Sequence, residues 1–360
     1  MVQLALHKEM TEENSTTLHL SVAMTTKEVD EVNETQTIGG NTTTPSSYWY
    51  YWNTGIYVEV CVIIIAVVGM AGNGLIIYAL VASKQHKKHA LIVNQNVLDL
   101  CSSFFMAILY AVQLGKFTLT GELGYWLCML LFSENLIWSA TNGSMVNLAI
   151  ITIDRYLKVV YAVWSRKWLR PWVVRSAMVF PWLAGFAYNT TIVFLSSAVI
   201  NGRCHSYELL GYVDNIISIS FYVSFFYFII LAIFIFCYGR ILVKIRKQAR
   251  VMASHNATGP STAQNQSNQI QSNVIKTMIF VSAFYAIAWL PYTLYIFIFG
   301  TMIIPGLSFF DDAFHAVTFI AFFYTAANPF IYATKFDPVR KVLKKLIPCK
   351  RTTVQPSTGA

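Results

Sequence analysis

The chain has 360 residues, of which 56% are hydrophobic and only 12% charged, and its formal net charge is +9. A soluble domain carries about 25% charged residues. So much apolar side chain cannot be hidden in one globular core, so the composition excludes an ordinary soluble protein and points to lipid. The basic excess is concentrated in alternate loops, which reads as membrane topology and not as a nucleic-acid surface.

Residues 1–48 are polar, acidic and rich in Thr, Glu and Asn. Such a segment cannot bury enough apolar area to fold, and it reads as a disordered tail. Its Asn-x-Ser/Thr sequons at Asn14, Asn33 and Asn41 are expected glycosylation sites. Asn189 is a fourth candidate at the edge of a span, whereas Asn142, Asn256 and Asn265 fall in lipid or cytosol and read as accidental. No apolar stretch follows a basic start, so the first span is expected to be its own insertion signal.

Seven apolar runs follow, at roughly 57–82, 90–113, 127–157, 173–198, 213–243, 273–299 and 309–334. Each can cross a bilayer, which takes about 20 helical residues. The expected fold is an all-α membrane protein, a seven-transmembrane helix bundle over 49–335. Lys84, Lys87 and Lys88 follow the first span, and Arg166, Lys167 and Arg170 the third. Lys244, Arg246, Lys247 and Arg250 follow the fifth, and Arg340, Lys341, Lys344, Lys345, Lys350 and Arg351 the seventh. The opposite loops hold only Lys116 and Arg203. The excess of Lys and Arg marks the cytosolic side, so the tail is expected outside and the C-terminus inside.

Between the fifth and sixth spans, 251–272 is rich in Ser, Asn, Gln and Ala and reads as a flexible loop. After the seventh, in 336–360, Val339, Val342, Leu343 and Leu346 share one face and four basic residues lie elsewhere. That pattern predicts a short amphipathic helix on an anionic leaflet, with Pro338 suited to its first turn. Cys349 beyond it is a palmitoylation candidate, with an unmodified thiol the alternative.

Within the spans, polar residues are costly and must find partners. Asn73, Asp99, Ser144, Asn147 and Asn328 lie in different runs, and the economical arrangement gathers them around Asp99. A carboxylate there could hold a small cation such as Na⁺, with Ser144 and Asn328 as oxygen ligands; a hydrogen-bonded cluster tying helices together is the alternative. Pro291 and Pro329 remove backbone hydrogen bonds and permit kinks, so two helices can pivot between states. Asp154-Arg155-Tyr156 closes the third span. An Arg at a helix end needs a partner: Asp154 is adjacent, and Tyr238 and Tyr332 could approach on rearrangement.

These residues together resemble a rhodopsin-like (class A) G-protein-coupled receptor. The matches are Gly72-Asn73, Asp99, Asp154-Arg155-Tyr156, Trp182, Tyr238, Trp289-Leu290-Pro291 and Asn328-Pro329-x-x-Tyr332, in order along the spans. The stretch from Glu134 to Lys158 and the Tyr332-Ala333-Thr334-Lys335 end also resemble invertebrate orphan receptors of peptide-receptor type. The resemblance implies that Arg155 engages a heterotrimeric G protein when the sixth helix swings outward, that Trp289 lies beneath the ligand, and that Cys128 pairs with Cys204. Cys61, Cys101 and Cys237 read as packed thiols.

Departures from the family pattern carry expectations of their own. Ile230 stands where a Pro is usual, so the local bulge of the fifth helix is expected to be missing. Tyr285 replaces the usual Phe. Gln271 stands where many members carry an acid that pairs with Arg155, which predicts a weaker inactive-state lock. Cys128 lies further from Arg155 than usual, which implies either a bulge in the third helix or a shifted disulfide. Ile137 occupies the position of the amine receptors' Asp, and Phe322 that of the light receptors' Lys, so the resemblance points away from a monoamine and from a retinal. The upper bundle offers Glu134, Asn135, Trp138, Tyr292, Tyr295, Asp311, Asp312 and His315. Acids with aromatics suit a basic or amidated peptide, with a small non-amine ligand as the alternative. A transporter or channel would show internal repeats, and none is visible. An enzyme would show a nucleophile motif, a phosphate loop or a His cluster, and none appears.

Overall fold

The structure is a computed structural model that describes residues 56–115, 118–207, 210–254, 262–301, 303–304 and 312–346. The side chains of Ile56, Ala249, 251–254, 262–272, Pro338 and Leu346 lie outside that description. So do the sequons Asn14, Asn33 and Asn41, together with Asp311 and Cys349.

Seven helical segments are long and apolar enough to cross a membrane: Tyr57–Ala82, Ala90–Gln113, Gly121–Val160, Pro171–Ser196, Tyr212–Gln248, Asn273–Gly300 and Asp312–Lys335. They are called here the first to seventh spans. The pattern of burial is that of a protein solvated by lipid. Large apolar side chains point outward, with Ile287 at 72% exposure and Leu183 at 63%, while Asn73, Asp99 and Asn328 are fully enclosed. In hydrocarbon only the polar groups need shelter, so they define the centre.

The third span is the axis, packing against the second, fourth and fifth, and the seventh closes the bundle against the first and sixth. Small residues permit the closest approach. A Cβ on Gly185 of the fourth span would lie 2.8 Å from the Gly143 nitrogen of the third, so the two backbones touch.

Both long spans contain wide turns. The third opens with a short helix, Gly121–Leu127, passes through a π-helical turn at Cys128–Phe132, and restarts at Asn135 after Glu134 in the left-handed region (φ 57°). Of the two alternatives for Cys128, the bulge is the one found: the wide turn and the left-handed link absorb the extra chain length. The fifth span has a second π-helical turn at Val223–Ile229. The bulge expected to be missing without a proline is therefore present. Its support comes from the sixth span, where the Tyr285 hydroxyl donates to the carbonyl of Phe226 inside the wide turn.

The loop after the fourth span is a hairpin, Ala198–Ile200 against Arg203–His205, in which Val199 faces Cys204. Asn201-Gly202 makes its turn with both residues left-handed (φ 51° and 74°), the conformation that a two-residue hairpin requires. Cys204 is joined to Cys128 with the Cα atoms 5.2 Å apart, so the hairpin is pinned to the end of the third span.

The expected loop between the fifth and sixth spans needs correction. Val251–Ser254 continues the fifth helix, and Thr262 starts the sixth, which runs unbroken to Gly300. The Gln- and Ala-containing run after Pro260 contains no Gly or Pro, and Gln and Ala are good helix formers. The helix after the seventh span forms at Asp337–Leu346. Phe336 and Val339 are fully buried, and Val342 and Leu343 pack on the core beside them, so part of its apolar face lies on the bundle itself.

Candidate functional site

The polar residues predicted to gather do so. Asp99 is fully enclosed and accepts from three side chains: Ser144 Oγ at 2.5 Å, Asn328 Nδ2 at 3.1 Å, and Gln95 Nε2 at 3.4 and 3.5 Å from its two oxygens. Gln95 Nε2 also donates to Ser144 Oγ. Asn73 bridges the first and seventh spans, donating to Gly69 O at 2.9 Å and Thr325 O at 3.2 Å. Thr325 precedes Pro329 by four residues, so its carbonyl is the one the proline ring pushes out of the ladder. Asn73 satisfies it.

The cation expected at Asp99 can be tested on this donor set. All three groups meeting the carboxylate present hydrogens. Ser144 gives its proton to Asp99 and its lone pair to Gln95. An ion requires lone pairs directed at it, so the arrangement does not fit a cation. The other reading, a hydrogen-bonded cluster tying helices together, describes what the residues do.

At the disulfide end, five of the six predicted pocket residues belong to one aromatic and acidic group or its neighbours. Trp138 stacks on Tyr292 (centroids 5.2 Å apart, 24° between planes), tilts against Phe322 at 5.5 Å and meets Trp289 edge-on at 6.2 Å. Its indole N–H donates to Glu134 at 2.8 Å, and Tyr110 reaches the other oxygen of that carboxylate at 3.4 Å. The left-handed backbone at Glu134 turns this acid back over its own helix. Tyr295 lies 5.6 Å from Phe314, whose ring is 6.0 Å from His315. Ile137, the sixth, is buried at 1% exposure in the core. The segment after the disulfide covers the group: the Tyr207 hydroxyl donates to Ser133 O at 3.2 Å. Burial, with Glu134 nearby, pushes that hydroxyl above its ordinary pKa and keeps it a donor.

At the opposite end of the third span, Asp154 holds two cations, Arg155 Nε at 3.6 Å and Lys158 Nζ at 2.8 Å. Tyr238 bridges Thr152 (3.1 Å) and Ser282 (3.2 Å), tying the third, fifth and sixth spans together. The Tyr332 hydroxyl is buried without a hydrogen-bond partner among the described residues. Neither tyrosine is hydrogen-bonded to Arg155. Tyr156 is half-buried against the core, edge-on to Tyr161 and Phe236 at 5.6 Å each. The inner end of the sixth span is held by Asn273, which donates to Asp337 at 2.8 Å across to the terminal helix.

Residues 72–332 match the family described as "7 transmembrane receptor (rhodopsin family)". The chain belongs to that family. Among curated proteins, the receptor is 27% identical over 297 residues to melanopsin-A of Gadus morhua, across 80% of this chain and 52% of that protein. It is 24% identical over 306 residues to somatostatin receptor type 3 of Mus musculus (81% and 68%), and 22% over 308 to somatostatin receptor type 5 of Rattus norvegicus (82% and 79%). The aligned part of the chain thus spans about half the length of the melanopsin.

In this receptor Asp99 and Asn328 meet in the core, Trp289 lies against Trp138, and Arg155 pairs with Asp154 near the end of the third span. Reading the sequence missed Gln95, although Asn94-Gln95-Asn96 is a conspicuous run of three amides within an apolar span. It also missed Thr152 and Ser282, the anchors of Tyr238, and the pairing of Asn273 with Asp337. Asn142 and Asn189 are buried inside spans, where Asn142 Oδ1 accepts from Tyr222 at 3.4 Å and Asn189 Nδ2 donates to Gly185 O at 2.9 Å. Both sequons are therefore set aside.

Proposed function

We propose that the chain is a plasma-membrane receptor with its N-terminus outside, activating a heterotrimeric G protein through the Arg155 end. The observation that carries this reading is the state of that end. Among the described residues, Arg155 is tied only to Asp154 on its own helix, while Tyr238 and Tyr332 stand close by without a bond to it. Outward displacement of the sixth span breaks the Tyr238–Ser282 and Asn273–Asp337 bonds and frees Tyr238 to support Arg155. A ligand at the other end shifts the population toward that displaced form.

A peptide with a cationic group is the ligand we favour. Glu134, Trp138 and Tyr292 combine a carboxylate with stacked aromatic faces, which together suit an ammonium or guanidinium. The relatives named as somatostatin receptors support a peptide. The resemblance to melanopsins does not bring a retinal with it, because Phe322 stands at the position that would need a Lys.

Purified receptor in liposomes, with peptide fractions on one side and G protein on the other, tests the reading. Accelerated nucleotide exchange that disappears in Arg155→Ala, with the variant folded and reconstituted to the same level, is the expected result. Solute or ion flux without exchange would identify a transporter instead.

A further inference from the structure

We infer that the side-chain amide of Gln95 takes the place of a cation beside Asp99, leaving the polar core of this receptor unresponsive to sodium. The inference rests on the direction of one hydrogen-bond chain.

The chain starts at a group with a single possible role. The Trp182 indole can only donate, and its Nε1 lies 3.1 Å from Asn94 Oδ1. The Met178 carbonyl can only accept, and it lies 3.0 Å from Asn94 Nδ2. The orientation of Asn94 is therefore fixed from both sides. Its Nδ2 also faces Asn147 Oδ1 at 3.0 Å, and Asn147 Nδ2 faces the Leu91 carbonyl at 3.0 Å. That fixes Asn147, whose N–H meets Gln95 Oε1 at 2.8 Å. With its oxygen committed, Gln95 can turn only N–H groups toward Ser144 and Asp99.

An indole on the fourth span thus dictates which atoms meet the carboxylate. A hard cation takes about six oxygen ligands. Here both Asp99 oxygens and the Ser144 oxygen receive hydrogens, and of the side chains touching Asp99 only Asn328 Oδ1 lacks a donor among the described residues. To offer Gln95 Oε1 to an ion, the amide must flip and set its N–H against that of Asn147. That clash could be relieved only by reversing amides whose outer partners cannot reverse.

The test needs neither ligand nor G protein. Thermal unfolding of the purified receptor is measured in sodium chloride and in N-methyl-D-glucamine chloride at equal ionic strength. The wild type should melt at the same temperature in both. Gln95→Leu, which removes the amide and leaves Ser144 free to turn a lone pair inward, should gain a few degrees in sodium by ligand-linked stabilisation, and Gln95→Leu/Asp99→Asn should lose that gain. A sodium-dependent rise in the wild type overturns the inference, and so does a folded Gln95→Leu protein indifferent to sodium. Should Gln95→Leu fail to fold, sodium NMR on the wild type decides: ion binding abolished by Asp99→Asn refutes the proposal, and no binding supports it.

Discussion

The hydroxyl of Tyr285 reaches the Phe226 carbonyl, and Tyr227 returns a bond to Ala286 O at 2.9 Å, so the fifth and sixth spans are stitched in both directions. Tyr285→Phe should leave a buried carbonyl without its donor and destabilise the receptor by about 1–3 kcal/mol. Thermal unfolding reads this, and an unchanged midpoint would mean the wide turn holds without the bond. His89, just before the second span, is buried edge-on to Phe336 at 5.1 Å. Burial first, then Arg155, Lys88 and Lys158, lower its pKa from 6.5 to about 3. The unfolded chain therefore binds a proton that the folded one refuses between those values. Stability is fully present above pH 6.5 and falls by about 1.4 kcal/mol per pH unit below it. Denaturation followed from pH 7 to 5 should show this slope, flattened in His89→Gln. At this scale the sequence was readable where a charge or a proline stood in an apolar run. Asp99, Arg155 and Pro329 announce themselves because lipid penalises them. Gln95 did not, because the sense of an amide depends on partners from three spans.

On the proposed reading, helices carry the switching. The sequence reading placed the weak point of the inactive state at Gln271, whose side chain lies outside the described residues. The bond that holds the inner end of the sixth span comes instead from Asn273 to Asp337, an acid also held by Arg340 at 2.6 Å. Asn273→Ala should therefore raise ligand-free nucleotide exchange several-fold, since losing about 1 kcal/mol from one of two states shifts their ratio about five-fold. Basal exchange equal to wild type would show that this contact does not set the equilibrium. Periodicity and hydropathy revealed all seven spans, because their apolar runs are long. They could not reveal the wide turns at Cys128–Phe132 and Val223–Ile229, since no residue type marks an i→i+5 turn, and the bulge of the fifth span depends on a tyrosine in the sixth.

At the scale of the bundle, an exterior as apolar as lipid leaves the hydrophobic effect little part in holding helices together. Covalent and polar ties matter correspondingly more. The Cys128–Cys204 link closes a sequence separation of 76 residues, and Cys204→Ser should lower stability by about 2–4 kcal/mol. A thermal midpoint insensitive to both the substitution and reductant would show the hairpin to be held by its other contacts.

The segmented start of the third span, with its wide turn and left-handed joint at Glu134, has an evolutionary consequence. It works as an expansion joint in the chain. A residue gained or lost between Cys128 and Glu134 can be taken up there, shifting the disulfide and its hairpin while the helix from Asn135 keeps its register down to Arg155. On the proposed reading, descendants of this gene could reshape the outer end without altering the Arg155 end.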